Sequence, residues 1–215
     1  MKTALFILVC VLFASGQDKS PTYSSKPAPQ NFVSHKAGLA VKFPPGLSYC
    51  PLPKEWAGEE EGTVVFLEAP SSCMPPVDST TTRPTSGFVP SITVRYHSNA
   101  SRDDAYEDKI PASETSEEFA RQFCPAATVS RDFKLFERSA VVCKSEMHSN
   151  RVKLVLMAVF NSAHNNLTVS LLTTHDRLAH DSETLAAISS SINTCQAASS
   201  NGKKKEKACP DEVLW

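Results

Sequence analysis

The segment VKLVLMAVF, residues 152–160, is apolar at every position except Lys153. A continuous apolar run of this length is typical of a central β-strand that is covered on both faces, because both faces must then present apolar side chains. The segment therefore predicts a sheet with a layer of structure packed on each side.

The segments around this run predict a meander. Residues 139–147 favour a strand, and Ser149-Asn150 favours a turn before the central run. After a second turn at residues 162–166, apolar and polar residues alternate from Leu167 to Leu171. Because short connections join antiparallel neighbours, we expect residues 139–174 to form three antiparallel strands.

Two helices are predicted. Thr115-Ser116-Glu117-Glu118 matches a capping box, Phe119 and Phe123 follow at i,i+4 spacing, and Pro125 ends the helix. In the second helix Asp181 is the expected N-cap. Four side chains then form one stripe that we expect to face the sheet: Leu185, Ile188, Ile192 and Cys195.

The remaining signals complete an α+β prediction. Residues 70–90 contain five prolines and predict a long loop. Further short strands are expected over residues 40–43, 47–50, 63–67, 92–96 and 133–136. The predicted fold is an antiparallel β-sheet flanked by helices, with a C-terminal three-strand meander followed by an amphipathic helix.

A family resemblance rests on the C-terminal half of the chain. Residues 152–160 and 167–174 are followed by Asp181-Ser182-Glu183-Thr184-Leu185, which leads to Ile188 and Ser191-Ile192. Through this succession residues 139–195 resemble the C-terminal half of Mog1/PsbP-like domains. The resemblance implies an antiparallel sheet between helices and a binding or accessory role. It transfers no catalytic residues.

The first sixteen residues predict export. A basic start is followed by an apolar run over residues 4–13 and by Ala14-Ser15-Gly16, the three parts of a secretory signal peptide. Residues 17–35, rich in Ser, Pro, Lys and Gln, predict a flexible leader, and residues 36–196 a single domain. Residues 197–215 predict a basic tail that Cys209 tethers. The expected location is secreted or periplasmic.

Cysteine usage supports this location. One of seven cysteines, Cys10, falls in the predicted signal peptide, and six remain. An even number in an exported chain predicts disulfides, which also staple the domain, and six thiols allow 15 pairings. We expect sequential pairing: Cys50 with Cys73, Cys124 with Cys143, and Cys195 with Cys209. None of the six has the close spacing of a zinc ribbon, so metal binding is the less favoured reading.

Catalytic motifs are missing from the sequence. It contains no Gly-x-Ser-x-Gly, no phosphate-binding glycine loop and no dinucleotide fingerprint, so we expect no enzyme activity and no cofactor or metal. The net charge of −1 gives no general attraction to nucleic acid. No second apolar run reaches membrane-spanning length.

His175 and His180 are the most suggestive polar residues, since each is followed by an aspartate. On a helix, five residues separate two side chains by about 140°, which argues against a shared site. We interpret residues 175–181 as a polar strand-to-helix connection, and an enzyme that uses the two histidines remains an alternative.

The leading functional hypothesis is an exported, non-catalytic binding module, of the inhibitor or immunity type, whose partner is another extracytoplasmic protein. We expect the partner to contact loop 70–90 or an acidic patch formed by Asp103, Asp104, Glu107 and Asp108. A carrier of a small apolar ligand held between sheet and helix is a further alternative. Asn99 and Asn166 each begin an N-glycosylation triplet at a predicted turn, where a eukaryotic host could modify them.

Overall fold

The computed structural model describes residues 24–34, 37–50, 62–73, 87–97, 115–160 and 164–195. These residues contain two helices, α1 (Ser116–Phe123) and α2 (Leu178–Ser191). The strands are β1 (Lys26–Pro27), β2 (Asn31–Ser34), β3 (Leu39–Lys42), β4 (Ser48–Tyr49), β5 (Gly62–Phe66), β6 (Ser91–His97), β7 (Thr128–Leu135), β8 (Arg138–Met147), β9 (Arg151–Phe160), β10 (Asn165–Thr174) and β11 (Asn193–Thr194).

The strands form two sheets. The larger has eight strands in the order β1-β4-β5-β6-β10-β9-β8-β7, and the smaller has three in the order β11-β3-β2. Neighbouring strands are antiparallel in both sheets. The predicted α+β class is confirmed, as are the β8-β9-β10 meander and the helix that follows it.

Strand β9 is buried on both faces, as its continuous apolar run predicts. Even-numbered residues from Val152 to Phe160 belong to the larger core, which α2 covers, whereas Met157 belongs to a second core beneath α1. We call the two sides of the large sheet the α2 face and the α1 face. Two separate cores explain why both sets of alternate positions in β9 are apolar from Leu154 to Phe160.

The α2 face holds the main core. Helix α2 and its C-cap bury three apolar side chains that pack with strand residues such as Leu156. Each is at most 1% exposed: Leu185, Ile188 and the C-cap Ile192. The three-stranded sheet contacts α2 through β3 and contributes Phe43 just after that strand. Each fully buried side chain of this size stabilises the fold by about 1.5–3 kcal/mol.

Helix α1 covers β8 and β9 on the opposite face. It begins with the predicted capping box, in which Thr115 Oγ1 accepts from the Glu118 N–H and the Glu118 carboxylate accepts from the Thr115 N–H. Phe119 is buried against the sheet. At the helix end, Cys124 is bonded to Cys143 of β8.

Two of the expected disulfides are present. Cys50 is bonded to Cys73 with a Cα–Cα distance of 5.7 Å, and Cys124 to Cys143 with a distance of 6.1 Å. Cys195 is also disulfide-bonded. Its predicted partner Cys209 lies outside the described residues, so that pairing stays a prediction.

The boundary predicted for the N-terminal leader is wrong in its described part. Strands β1 and β2 both lie within residues 17–35, and β2 pairs with β3. Phe32 and Val33 are 3% and 0% exposed. Strands of two and four residues are too short to show a hydrophobic period among polar neighbours, so composition alone suggested a leader.

The expected start of the second helix is also wrong. Helix α2 begins at Leu178, three residues before Asp181, and its N-cap Arg177 makes no side-chain capping hydrogen bond. Asp181 is a fully buried residue of the first turn.

Other predictions fall outside the described residues. These are the signal peptide over residues 1–16, the tail from residue 197 onward and most of loop 70–90. Within the described part of the chain, no helix is long and apolar enough to cross a membrane.

Candidate functional site

His175 and His180 lie in different parts of the strand-to-helix segment. His175 lies in the turn before α2, and its Nε2 atom is 2.6 Å from Oε2 of Glu146 on β8. His180 is exposed on α2 and forms no ion pair or hydrogen bond with a described residue. The two imidazoles therefore have different surroundings, one in contact with a carboxylate and the other exposed to solvent.

The ion pair of His175 belongs to a surface cluster on the α2 face. Lys144 Nζ lies 3.0 Å from Glu146 Oε1. The hydrogen bond from Lys144 is the main cause that lowers the pKa of Glu146, and the charges of His175 and Lys144 add to it. Such an exposed cluster holds side chains in place and contributes little to stability.

A second polar cluster surrounds the buried carboxylate of Asp181. Thr173 Oγ1 donates to Asp181 Oδ2, and Arg177 binds both carboxylate oxygens. Arg177 also contacts Glu68, which follows β5. The cluster ties the first turn of α2 to β10 and to the end of β5, and it leaves no carboxylate oxygen free for a substrate, so we assign it a structural role.

A groove opens where β8 and β9 separate. The paired register of the two strands ends at Val141 and Met157, although β8 begins at Arg138 and β9 continues to Phe160. Residues 138–140 and 158–160 therefore lie at the same end of the sheet without ladder pairing between them.

Helix α1 and the β7–β8 hairpin form the walls of this groove. Ser116 Oγ accepts a hydrogen bond of 3.0 Å from the Val159 N–H, which has no ladder partner in β8. The groove has a volume of about 770 Å³ and is lined by Thr115, Ser116, Glu117, Val129, Leu135, Phe136, Arg138, Ser139, Val141, Ala158, Val159, Phe160, His164 and Thr194.

The hairpin turn presents an aromatic residue to the groove in an unusual conformation. Phe136 and Glu137 have φ values of 53° and 64°, in the left-handed region that glycine and asparagine favour. Phe136 is stacked on Phe160 with ring centroids 5.0 Å apart. Ser149 and Asn150 adopt the same conformation between β8 and β9, as two-residue hairpin turns commonly do, and here it places the Phe136 ring at the groove.

Half of the lining is apolar and half is polar. Val129, one of the apolar residues, is 54% exposed, which is high for a large hydrophobic side chain. The ionisable residues are Glu117, Arg138 and His164. Across the described ranges no three His, Cys, Asp or Glu side chains meet in a way that could hold a metal ion. The arrangement suits binding by shape, apolar contact and hydrogen bonds.

Sequence reasoning missed this groove and placed contacts elsewhere. The predicted acidic patch, Asp103, Asp104, Glu107 and Asp108, lies outside the described residues. Residues 133–136 were expected to be a strand, which concealed the turn at Phe136-Glu137. The available signal was a two-residue gap between two strand patterns, but it lacks the asparagine or glycine that identifies such turns.

The predicted access of Asn166 is contradicted. Asn166 is the second residue of β10 and is 0% exposed, and its Oδ1 and Nδ2 atoms have no hydrogen-bond partner among the described residues. An N-linked glycan on Nδ2 is incompatible with this burial. Asn99 lies outside the described residues.

Comparison with known protein families finds no family model that matches this chain. Comparison with curated proteins likewise finds no match. The groove is therefore interpreted from its own residues.

Proposed function

We propose that this chain is an exported, non-catalytic binding module that holds a segment of an extracytoplasmic protein in the groove between β8 and β9. The groove itself carries this proposal, because it combines an open cleft, the exposed apolar side chain of Val129 and the stacked rings of Phe136 and Phe160.

Export is supported by the N-terminal residues and by the disulfides of the chain. The first sixteen residues have the three parts of a signal peptide. Cys50–Cys73 and Cys124–Cys143 are bonded, and such bonds persist in oxidising compartments. A disulfide-stabilised module of the inhibitor or immunity type would work there.

Main-chain groups at the groove favour a polypeptide ligand. The Val159 N–H points toward β8 and meets Ser116 Oγ in place of a ladder partner. By strand alternation, the main-chain groups of Ser139 on β8 point into the same gap. An extended segment of a partner can bond to such groups while its side chains contact Val129 and Phe136.

A carrier of a small apolar ligand is the second candidate. Volumes of about 300–1,000 Å³ are usual for small-molecule sites, and the groove falls within that range. The stacked rings of Phe136 and Phe160 would provide an apolar contact. The polar half of the lining is the reason this candidate ranks second.

A photo-crosslinking experiment tests the proposal. A benzophenone side chain placed at the exposed groove residue Ser139 is expected to crosslink one protein in the extracytoplasmic fraction of the host. The same group at Glu183, which is exposed on α2, is the control and is expected to yield no such product.

A groove-filling variant completes the test. Ser139→Trp should abolish capture of the partner, whereas Glu183→Trp should leave it unchanged. Native mass spectrometry of the protein from its own host tests the second candidate function. A retained small molecule that is absent from the Ser139→Trp variant would favour a carrier of a small apolar ligand. If neither a protein nor a small molecule depends on the groove, the proposed function is wrong.

A further inference from the structure

Two carboxylates on the α2 face of the large sheet are paired with cations. Glu146 binds Lys144 and His175, and Asp181 binds Arg177. Arg138 of β8, which alternates with Ala140, is a cation on that side that pairs with no described residue. The opposite side carries more such cations.

The α1 face carries unpaired cations. By strand alternation, three cations point to this face: Arg95 of β6, and Arg151 and Lys153 of β9. None of them forms an ion pair with a described residue. Asp132 of β7, which alternates with the core residues Phe133 and Leu135, is the one acidic residue among the described strand residues on this face, and β8 separates β7 from β9. Arg151 lies 4.4 Å above the ring of Phe88, which orients its guanidinium.

Hydroxyl groups of β10 lie between Arg95 and the two cations of β9, although the residue opposite Lys153 is Leu172. In the register of the sheet, Thr93 is opposite Ser170, and Arg95 is opposite Thr168. The three hydroxyl residues are partly exposed. Serine and threonine both donate and accept hydrogen bonds, so this part of the sheet can bond amides as well as carboxylates.

We propose that this surface binds an acidic segment of another polypeptide. We call it the cationic face, defined by Thr93, Arg95, Arg151, Lys153, Thr168 and Ser170. The net charge of the whole chain is −1, so attraction comes from the local separation of charge across the sheet. The face lies on the β6 and β10 side of α1, away from the groove, and the inference stands whether or not the groove binds a ligand.

The mixture of groups favours a polypeptide over a sulfated or phosphorylated polymer. Cations separated by neutral hydroxyls match an extended chain in which carboxylates alternate with main-chain amides. A polymer with an anion on every unit would instead be matched by a continuous row of cations. Carboxylates on the partner are therefore the expected recognition group.

A charge-reversal pair tests the proposal with a fluorescein-labelled oligoglutamate peptide. Anisotropy at low salt should show binding to the full chain that weakens as salt is added. Lys153→Glu should weaken it about fivefold, because an exposed ion pair contributes up to about 1 kcal/mol and reversal replaces attraction with repulsion. Lys42→Glu, the same change at an exposed residue of β3, should change it less than about twofold.

Two further measurements keep the test decisive. Arg95→Gln should weaken peptide binding as Lys153→Glu does, while Ser139→Trp in the groove should leave it unchanged. The proposal is overturned if the peptide does not bind, if Lys42→Glu weakens it equally, or if dextran sulfate binds tightly and the peptide does not. It is also overturned if binding appears only after Asp103, Asp104, Glu107 and Asp108 are replaced by amides, because the chain's own acidic segment would then occupy the face.

Discussion

The guanidinium of Arg177 binds both oxygens of the Asp181 carboxylate, with Nε 3.1 Å from Oδ2 and Nη2 3.2 Å from Oδ1. Asp181 is fully buried, and the Arg177 side chain is 29% exposed. The contact joins the N-cap of α2 to its first turn, so a helix without a side-chain cap is held at its start by an ion pair.

Removing the Arg177 guanidinium from this pair should destabilise the fold. Arg177→Met leaves a buried carboxylate with only Thr173 as a partner and is expected to lower the free energy of unfolding by about 3 kcal/mol. Urea denaturation measures the loss. Arg121→Met, at an exposed position of α1, should change stability by less than about 0.5 kcal/mol. Equal stability of the two variants would show that the buried pair is not needed.

The lowered pKa of Glu146 predicts an acid-dependent contribution to stability. Because the native pKa lies below the ordinary glutamate value, the contribution is present above that ordinary value and is lost as the pH falls through the native pKa. Lys144→Ala should raise the pKa of Glu146 toward its ordinary value, since the Lys144 hydrogen bond is the main cause of the shift. Carboxyl titration by NMR checks this. An unchanged Glu146 titration in that variant would contradict it.

The hairpin turn should tolerate glycine at its second residue. Glu137→Gly removes a side chain from a left-handed position and is expected to raise the free energy of unfolding by about 1 kcal/mol. Phe136→Gly also relieves the backbone but loses the stacking on Phe160, so it should be destabilising. Chemical denaturation of both variants compares the gain from relieving the left-handed backbone with the loss of ring stacking. A loss of stability in Glu137→Gly would mean that its side chain has a role at the groove.

Asn166 should be replaceable by an apolar residue. Its carboxamide is buried and has no partner in the described part of the chain, and Asn166→Val removes that desolvation cost while keeping a strand-forming side chain. We expect the free energy of unfolding to rise by about 1–3 kcal/mol. The midpoint of urea unfolding gives the answer, and a fall in that midpoint would show that Asn166 makes a bond that the fold requires.

The Cys124–Cys143 disulfide should hold the groove wall in place. It closes a loop with a sequence separation of 19, and a bond of this kind stabilises by about 3 kcal/mol. The double variant Cys124→Ser/Cys143→Ser should lose that amount and should show faster amide exchange in α1 than in β10. Equal exchange in the two elements would indicate that α1 stays docked without the bond.

Local pattern was sufficient for the main elements of the fold. The apolar run over residues 152–160 predicted a strand covered on both faces, and Thr115 with Glu118 predicted the start of α1. Both signals depend on neighbouring residues, since strand alternation and helix capping are set within a few positions of the chain. The disulfides are not determined in this way, because their partners are 23 and 19 residues apart and six thiols allow 15 pairings.

The groove could not be predicted in this way. It exists because β8 and β9 stop pairing at Val141 and Met157, a feature of register rather than composition. The role of Asp181 was hidden similarly, since its partner Thr173 lies on the preceding strand and a polar residue ahead of an apolar stripe resembles an N-cap.

The amino-acid sequence by itself determined an α+β chain with a central apolar strand, its meander and its capped first helix, because each follows from residues close together along the chain. Tertiary structure alone decided the remainder. Ser191 Oγ donates a hydrogen bond to the main-chain carbonyl of Lys42, 149 residues away in the sequence. This bond joins the small sheet to α2. Contacts between residues far apart in the sequence set the strand register, the shape of the groove and the surroundings of the buried Asp181. They arise only when distant segments pack together.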